Sequence, residues 1–258
     1  MDKTDYAPGT PSWIDVGVPD IDAAIAFYGA LFGWEVPPGD PEAGGYRIAH
    51  LGGRTVAGLG PQMSPGPPAW TTYVSTDDVE ALATRIVAAG GSIVMEPMDV
   101  FDQGRMLLAF DDAGTFFGAW QPLAHRGAQV VNEPGSLAWN ELTTRAPDQA
   151  KAFYGAVFGW TASDHPMGDR GSYTEWQLDG RSIGGMLPMG PEFPAEVPNH
   201  WLVYFSVADV EAAASKIGEL GGNVHVPPFE TPAGRAAVVA DPAGTPFAII
   251  ALADPATS

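Results

Sequence analysis

The octapeptide FYGALFGW at residues 27–34 returns as FYGAVFGW at residues 153–160, 126 positions later. Outward from it, WIDVGVPD (13–20) aligns with WNELTTRA (139–146) at the same offset, and LGGRTVAGL (51–59) aligns with LDGRSIGGM (178–186) at 127. DDVEAL (77–82) matches ADVEAA (208–213) at 131, and DDAGTFF (111–117) matches DPAGTPF (241–247) at 130. A repeat of about 125 residues indicates a duplicated domain, because solenoid and propeller repeats are roughly 20–50 residues long.

The repeat predicts two domains of similar design. At 258 residues and 45% hydrophobic content, the chain is long enough to bury the core of each one. We expect the first module at residues 1–122, a linker at 123–136 and the second module at 137–258.

The overall charge excludes several classes of partner. Twelve Lys and Arg residues face 31 Asp and Glu residues, which gives a formal net charge of −19. Such a surface repels phosphate backbones and anionic lipids, so we expect neither nucleic acid nor membrane as a partner.

The absence of cysteine excludes thiolate chemistry and fits a reducing compartment. With no signal-length apolar segment at the N-terminus and no run of 18 apolar residues, the sequence predicts a soluble, unprocessed, cytoplasmic chain.

The first copy of the repeat predicts a strand followed by an amphipathic helix. Residues 13–18 alternate as in a strand, so Trp13 and Asp15 share one face. Asp20 is the expected N-cap of a helix with an apolar stripe from Ile21 onward, and Gly33 is expected to end it. Residues 1–11 are expected to form an extended arm.

The remaining segments continue the same pattern. Strands are predicted at 46–51 and 55–59 around a Gly52-Gly53 turn, then a strand at 70–75 and a helix at 79–88. Further strands are predicted at 92–95, 105–110 and 115–120. Each half therefore reads as β-α-β-β followed by β-α-β-β-β, which is an α+β fold.

These motifs resemble the vicinal oxygen chelate superfamily, the group of glyoxalases, bleomycin-resistance proteins and ring-cleaving dioxygenases. Its signature combines a first strand, a V-x-D motif, a helix with FY and (F/L)G, and an Asp-Pro-x-Gly turn before the last strand. Here the motifs are VPD at 18–20, FY at 27–28 and 153–154, FG at 32–33 and 158–159, and the turns at 111–114 and 241–244. The resemblance implies tandem glyoxalase-like modules, built from paired βαβββ units that form half-open barrels around a small-molecule site.

The resemblance also implies where a metal would be bound. Metal-dependent members use a His on the first strand, seven residues before the V-x-D Asp, and a Glu on the last strand, four residues after the turn Gly. These positions are Trp13 and Gly118 in the first half, and Trp139 and Ala248 in the second. No metal site and no cofactor are therefore predicted, although a divalent ion bound by other carboxylates stays open.

Two acids and several aromatic or basic residues are the candidate site. Asp15 and Glu141 lie two residues after Trp13 and Trp139, on the same predicted strand face, and are the candidate general bases. The candidate ligand-binding residues are Trp13, Trp139, Trp70, Trp201, His50, His200, Arg105 and Arg235. For the histidines an ordinary polar role is the alternative, for the tryptophans core packing, and for the arginines a salt bridge, including one to Asp15 or Glu141.

Two functions are expected from this set. The first is a lyase, isomerase or oxygenase type of enzyme that acts on a small carbonyl or aromatic compound, with the working site around Glu141. The alternative is a non-catalytic, drug-sequestering protein of the bleomycin-resistance kind. Because both modules lie in one chain, a monomer can complete the paired arrangement and a homodimer is optional.

Overall fold

The computed structural model describes residues 1–63 and 66–253. The elements of the first half are β1 (Pro11–Val18), α1 (Ile21–Phe32), β2 (Arg47–Leu51), β3 (Arg54–Pro61), β4 (Trp70–Ser75), α2 (Val79–Ala88), β5 (Ser92–Val100), β6 (Gly104–Phe110) and β7 (Phe116–Pro122). Those of the second are β8 (Leu137–Thr144), α3 (Pro147–Phe158), β9 (Thr161–Pro166), β10 (Ser172–Leu178), β11 (Arg181–Pro188), β12 (His200–Ser206), α4 (Val210–Glu219), β13 (Asn223–Thr231), β14 (Gly234–Ala240) and β15 (Pro246–Leu252). The α+β fold class is confirmed.

Each half forms one continuous sheet. The strand order is β2-β3-β1-β4-β7-β6-β5 in the first and β13-β14-β15-β12-β8-β11-β10-β9 in the second. The first strand of each half, β1 or β8, pairs in parallel with β3 or β11 and antiparallel with β4 or β12. The two acids therefore lie near the centre of their sheets.

The second half has one strand more than the sequence pattern predicts. The additional strand is β9, whose side chains are almost all exposed and so show no alternation of burial. At the same place in the first half only one bridge forms, between Glu35 and His50. Pro37 and Pro38 follow it, and a proline has no backbone N–H to donate to a ladder.

The ends of the first helix follow the sequence signals. The Asp20 carboxylate accepts a hydrogen bond of 3.0 Å from the backbone N–H of Ala23, and Gly33 ends α1 in the left-handed region at φ +75°. In the second half, α3 begins with Pro147 and has no side-chain cap. No helix within residues 1–63 and 66–253 is long and apolar enough to cross a membrane.

The two halves share their cores. Phe27 on α1 packs against Phe247 on β15 with ring centroids 6.4 Å apart, and Phe153 on α3 packs against Phe117 on β7 at 6.2 Å. One apolar cluster thus joins β1 and α1 to β12, α4 and β15, and a second joins β4 and α2 to β8 and α3. Each half completes its core with elements of the other.

The arm and the linker pack against the modules. The Tyr6 hydroxyl donates a hydrogen bond of 2.7 Å to the backbone carbonyl of Ala128 in the linker. The Trp160 indole donates to the carbonyl of Gly9, and the Trp34 indole to the carbonyl of Gly135, both at 2.7 Å. Part of the predicted extended arm is therefore packed against the modules. The indole groups of Trp160 and Trp34, which end the two repeated octapeptides, donate hydrogen bonds to the backbone of the arm and of the linker.

Candidate functional site

Strand register places the acids and tryptophans on one face of each sheet. On β1, Trp13 lies opposite Tyr73 and Asp15 lies opposite Thr71 of β4. The arrangement repeats on β8, where Trp139 lies opposite Tyr204 and Glu141 lies opposite Leu202 of β12. Side chains two residues apart on a strand point to the same side, so each acid shares its side with an indole.

Glu141 is held by tyrosine hydroxyl groups. The Tyr204 hydroxyl donates a hydrogen bond of 2.9 Å to Glu141 Oε1, and the Tyr173 hydroxyl donates a second one to the same carboxylate. The Trp139 indole N–H donates in turn to the Tyr173 oxygen at 2.9 Å, which fixes the direction of that hydroxyl. Glu141 is only 6% exposed and has no salt-bridge partner among the described residues.

Burial without a countercharge changes the acidity of Glu141. Desolvation of the charged form raises its pKa from 4.5 to about 7, and the hydrogen bonds from Tyr204 and Tyr173 oppose part of this rise. A carboxyl group with this pKa is close to half ionised at neutral pH. It can therefore accept and return a proton, as a general base must.

The first half contains the same arrangement around Asp15. The Trp13 indole donates to the Tyr46 oxygen at 3.1 Å, and the Tyr46 hydroxyl donates to Asp15 Oδ2 at 3.2 Å. Tyr73 and Thr71 donate to the same carboxylate. Burial raises the pKa of Asp15 to about 6, and these three hydrogen bonds oppose the rise.

The four tyrosines belong to the candidate site, and the sequence motifs did not predict them. Tyr46 and Tyr173 are 127 positions apart, and Tyr73 and Tyr204 are 131 apart, which are the offsets of the flanking repeats. Repetition of a tyrosine at both offsets was the available signal. Periodicity alone could not show that all four hydroxyl groups reach a carboxylate on another strand.

Glycines of the neighbouring strand make room for two of these hydroxyl groups. A Cβ atom on Gly58 would lie 1.8 Å from the Tyr46 hydroxyl oxygen, and one on Gly185 would lie 1.8 Å from that of Tyr173. Any larger residue would push the tyrosine away from the acid. The repeated glycine in LGGRTVAGL and LDGRSIGGM is therefore part of the site.

The site does not fit the metal that the motif resemblance implies. A Cβ atom on Gly118, at an expected ligand position, would lie 2.3 Å from the ring of Tyr73, so this ring fills the space of a metal-binding side chain. The indoles of Trp13 and Trp139 stand at the expected histidine positions and donate to tyrosines. Within residues 1–63 and 66–253, no three His, Cys, Asp or Glu side chains are grouped to hold an ion.

Trp70 and Trp201 do not belong to this face. Trp70 lies opposite Val16, and its ring packs edge-on against Tyr28 at 5.4 Å in the shared core. Trp201 donates a hydrogen bond of 3.1 Å to the Tyr154 hydroxyl in the other core cluster. Both alternate with the site face, so we remove them from the candidate ligand-binding residues.

The two arginines also lie elsewhere. Arg105 forms ion pairs with Glu80 and Asp99, each at 2.7 Å. Arg235 pairs with Glu211 and with Glu230. Each arginine therefore connects the second helix of its half, α2 or α4, with the edge strand β5 or β13 at the surface, and the guanidinium groups serve neither Asp15 nor Glu141.

The two histidines differ in position. His50 exchanges backbone hydrogen bonds with Glu35 and lines a surface groove of about 500 Å³, away from Asp15. His200 lies opposite Thr143, on the same face as Glu141 and two positions further along β8. Its Nδ1 is 2.9 Å from the carbonyl oxygen of Pro198, and burial lowers its pKa. Of the two histidines, only His200 lies on the same face as a candidate acid, Glu141, whose surroundings we call the second site.

Comparison with known proteins gives a consistent family. The model of the Glyoxalase/Bleomycin resistance protein/Dioxygenase superfamily matches residues 10–118 and again 136–249. The putative glyoxylase CFP32 of Mycobacterium tuberculosis is 41% identical over 256 residues, covering 96% of this chain and 97% of the relative. The anthracycline biosynthesis protein DnrV of Streptomyces peucetius is 37% identical over 266 residues, covering 96% and 95%.

Solved structures match at the level of the fold. The Mn(II)-bound glyoxalase of Novosphingobium aromaticivorans has a TM-score of 0.66 at 19% identity, over 97% of this chain and 85% of that one. The 2,2',3-trihydroxybiphenyl 1,2-dioxygenase of Sphingomonas wittichii RW1 has a TM-score of 0.66 at 13% identity, over 97% and 94%. Both likenesses span the two halves together, so the tandem arrangement is shared.

Proposed function

The chain belongs to the Glyoxalase/Bleomycin resistance protein/Dioxygenase superfamily, and from this membership and the second site we propose an enzyme that uses Glu141 as a general base. The reaction is removal of a proton from a carbon next to a carbonyl group, as in a lyase or an isomerase. The observation that carries the proposal is the buried Glu141 carboxyl, without a countercharge and with a pKa raised to about 7.

The proposed step uses side chains of this chain. The Glu141 carboxylate takes the proton, and the C–H electron pair moves to the carbonyl oxygen to give an enolate. A protonated carboxyl group is a weaker hydrogen-bond acceptor, so the hydroxyl groups of Tyr173 and Tyr204 can then turn to the enolate oxygen. Return of the proton to the same or a conjugated carbon completes the exchange or isomerisation.

The surroundings of Glu141 favour an uncharged substrate with a ring. Trp139 and Phe229 are only partly buried on this face, beside Tyr204 and Ala236, and offer flat apolar surface. The net charge of −19 disfavours an anionic substrate. A relative in anthracycline biosynthesis, at 37% identity, agrees with a ring-containing carbonyl compound.

The test is proton exchange of 2-tetralone, a neutral aromatic ketone with acidic C–H groups, followed by NMR in deuterated water. The parent chain should accelerate exchange next to the carbonyl, and Glu141→Gln should lower the enzymatic rate by roughly 10²–10⁴. Glu175→Gln is the matched control, because Glu175 is a partly buried carboxylate of the same half that faces His165 at 3.6 Å. It should leave the rate within about twofold of the parent, which is far less than the loss expected when a positioned base is removed.

The same experiment decides for the alternative. If the parent binds 2-tetralone without exchanging its protons, or if Glu141→Gln lowers only thermal stability, the second site is a non-catalytic binding site. The chain would then act as a small-molecule binding protein of the bleomycin-resistance kind.

A further inference from the structure

A histidine from the linker covers the tryptophan of the first site. The ring centroid of His125 lies 4.3 Å from that of Trp13, with the planes at 82°, and 5.7 Å from that of Trp120 at 69°. These are edge-to-face contacts between planar rings. His125 therefore occupies a ring-sized position against the indole beside Asp15.

The backbone holds His125 in this position. Its N–H donates to the carbonyl of Gln103 at 3.0 Å, and its own carbonyl accepts from the Trp120 indole N–H at 2.8 Å. Gly104 makes the second contact feasible, because a Cβ atom there would lie 2.3 Å from the Trp120 ring. The linker is thus fixed on both sides of the imidazole.

The imidazole is placed by packing and not by hydrogen bonding. Its Nε2 atom is buried and has no hydrogen-bond partner within the described part of the chain. An unpaired buried polar atom destabilises the folded state, so ring contacts must offset this loss. The same burial lowers the pKa of His125 to about 4, which keeps the ring uncharged at neutral pH.

Among the residues that the structure describes, the second half has no such cover. At the offset of 130, the sequence places Ile250 where the first half has Trp120, and Pro255, outside the described residues, where it has His125. The indole that holds the histidine carbonyl and the imidazole itself are both missing from the second copy. Accordingly Trp139 is only partly buried, whereas Trp13 is 4% exposed.

We propose that His125 fills, from within the chain, a binding position for a planar uncharged ring in the first module, and that the second module leaves the equivalent position against Trp139 open to a ligand. The chain would thus present one ligand site from two copies of the same frame. This inference concerns ring binding and does not require Glu141 to act as a base.

The test uses free imidazole as the probe. Protein labelled with 5-fluorotryptophan is titrated with imidazole at pH 8, where imidazole is uncharged, and followed by fluorine NMR with resonances assigned through Trp13→Phe and Trp139→Phe. In the parent, the Trp139 resonance should shift saturably and that of Trp13 should not. In His125→Ala, both should shift, because imidazole enters the vacated position. His225→Ala, which removes an exposed imidazole from β13, is the matched control and should behave as the parent.

The outcomes are decisive in both directions. A folded His125→Ala whose Trp13 resonance ignores imidazole would overturn the filled position, and a parent whose Trp139 resonance ignores it would overturn the open one. Should His125→Ala fail to fold, His125→Phe decides: it should keep the ring contact, remove the unpaired nitrogen and melt at or above the parent temperature. Melting more than about 4 °C lower, which corresponds to roughly 1 kcal/mol or more, would contradict the proposal.

Discussion

The sites around Asp15 and Glu141 are built on one frame and differ in what surrounds it. In both sites, two tyrosine hydroxyl groups donate hydrogen bonds to the carboxylate. One of these tyrosines also accepts a hydrogen bond from an indole N–H, and its hydroxyl group packs against a glycine of the neighbouring strand. Asp15 accepts a third hydrogen bond, from Thr71, whereas Leu202 stands at that place in the second half. The frame alone therefore does not decide function, because the acid itself and the residues around it differ between the halves.

Among the tests that compare the two acids, the largest expected effect is the pH dependence of 2-tetralone exchange. Burial raises the pKa of Glu141 to about 7, so the folded protein keeps this proton well above the usual range of a glutamate. The base form, and with it the rate, should grow as pH rises and level off above about 8. Between pH 8 and pH 5 the rate should fall roughly 100-fold, because pH 5 lies two units below the pKa of Glu141 and only about 1% of the base form remains there.

The Asp15→Asn variant, read together with the midpoint, separates the two acids. If Asp15 were the base, the profile would be centred near pH 6, because burial raises the pKa of Asp15 only to about 6. A profile centred there, and abolished by Asp15→Asn, would move the working site to the first half. A midpoint near 7 that survives Asp15→Asn would keep it at Glu141.

The second prediction uses the two glycines under the tyrosines. Gly185→Ala should displace the Tyr173 hydroxyl and lower the exchange rate by roughly 10–100-fold, because misplacement by about 1 Å can cost 10²-fold. Gly58→Ala makes the same 1.8 Å clash in the first half and is the matched control. It should leave the rate within about twofold, so the comparison between the variants reports which half works. Equal losses in both would contradict a single working site.

The halves are also joined by a reciprocal pair of hydrogen bonds. The Tyr28 hydroxyl donates to Asp241 Oδ2 at 3.0 Å, and the Tyr154 hydroxyl donates to Asp111 Oδ2 at 3.1 Å. Each tyrosine belongs to the repeated octapeptide of one half, and each aspartate belongs to the turn before the last strand of the other. The two most recognisable motifs of the repeat thus bind each other across the halves.

The third prediction concerns these pairs. Tyr28→Phe and Tyr154→Phe should each lower the free energy of unfolding by roughly 1–3 kcal/mol, because a buried acceptor loses its partner. Since the cores are shared, thermal unfolding should remain one transition that shifts as a whole, as seen by circular dichroism or calorimetry. Two separate transitions, with only one moved, would show that the halves unfold independently.

Local patterns predicted much of the fold and part of the site. The Asp20 and Gly33 signals placed the first helix, and alternation put Asp15 beside Trp13, because both depend on neighbours in the sequence. The roles of Tyr46 and His125 depend on contacts across distant segments, which no local period encodes. Trp70 was misplaced because its face is settled only by its pairing with Val16.

The last and smallest prediction makes the second site resemble the first. Leu202→Thr should give Glu141 a third hydrogen-bond donor, as Thr71 gives Asp15 one, and so stabilise the ionised form. A hydrogen bond to a charged group contributes roughly 1.5 kcal/mol or more, so the pKa of Glu141 should fall by on the order of one unit. At pH 6 the exchange rate should then rise roughly twofold to fivefold, and at pH 8 it should fall slightly, because a weaker base removes protons more slowly.

The control for this variant is Leu202→Val, which has the shape of threonine without the hydroxyl group. Leu202 is 6% exposed and packs in the cluster with Tyr204 and Ala236, so both variants remove apolar volume and should lower the melting temperature alike. Only the hydroxyl can move the midpoint of the pH profile, and only toward lower pH. If valine moved the midpoint as far as threonine, the acidity of Glu141 would follow from water entering the loosened core. The hydrogen bond from Thr71 would then not account for the lower pKa of Asp15.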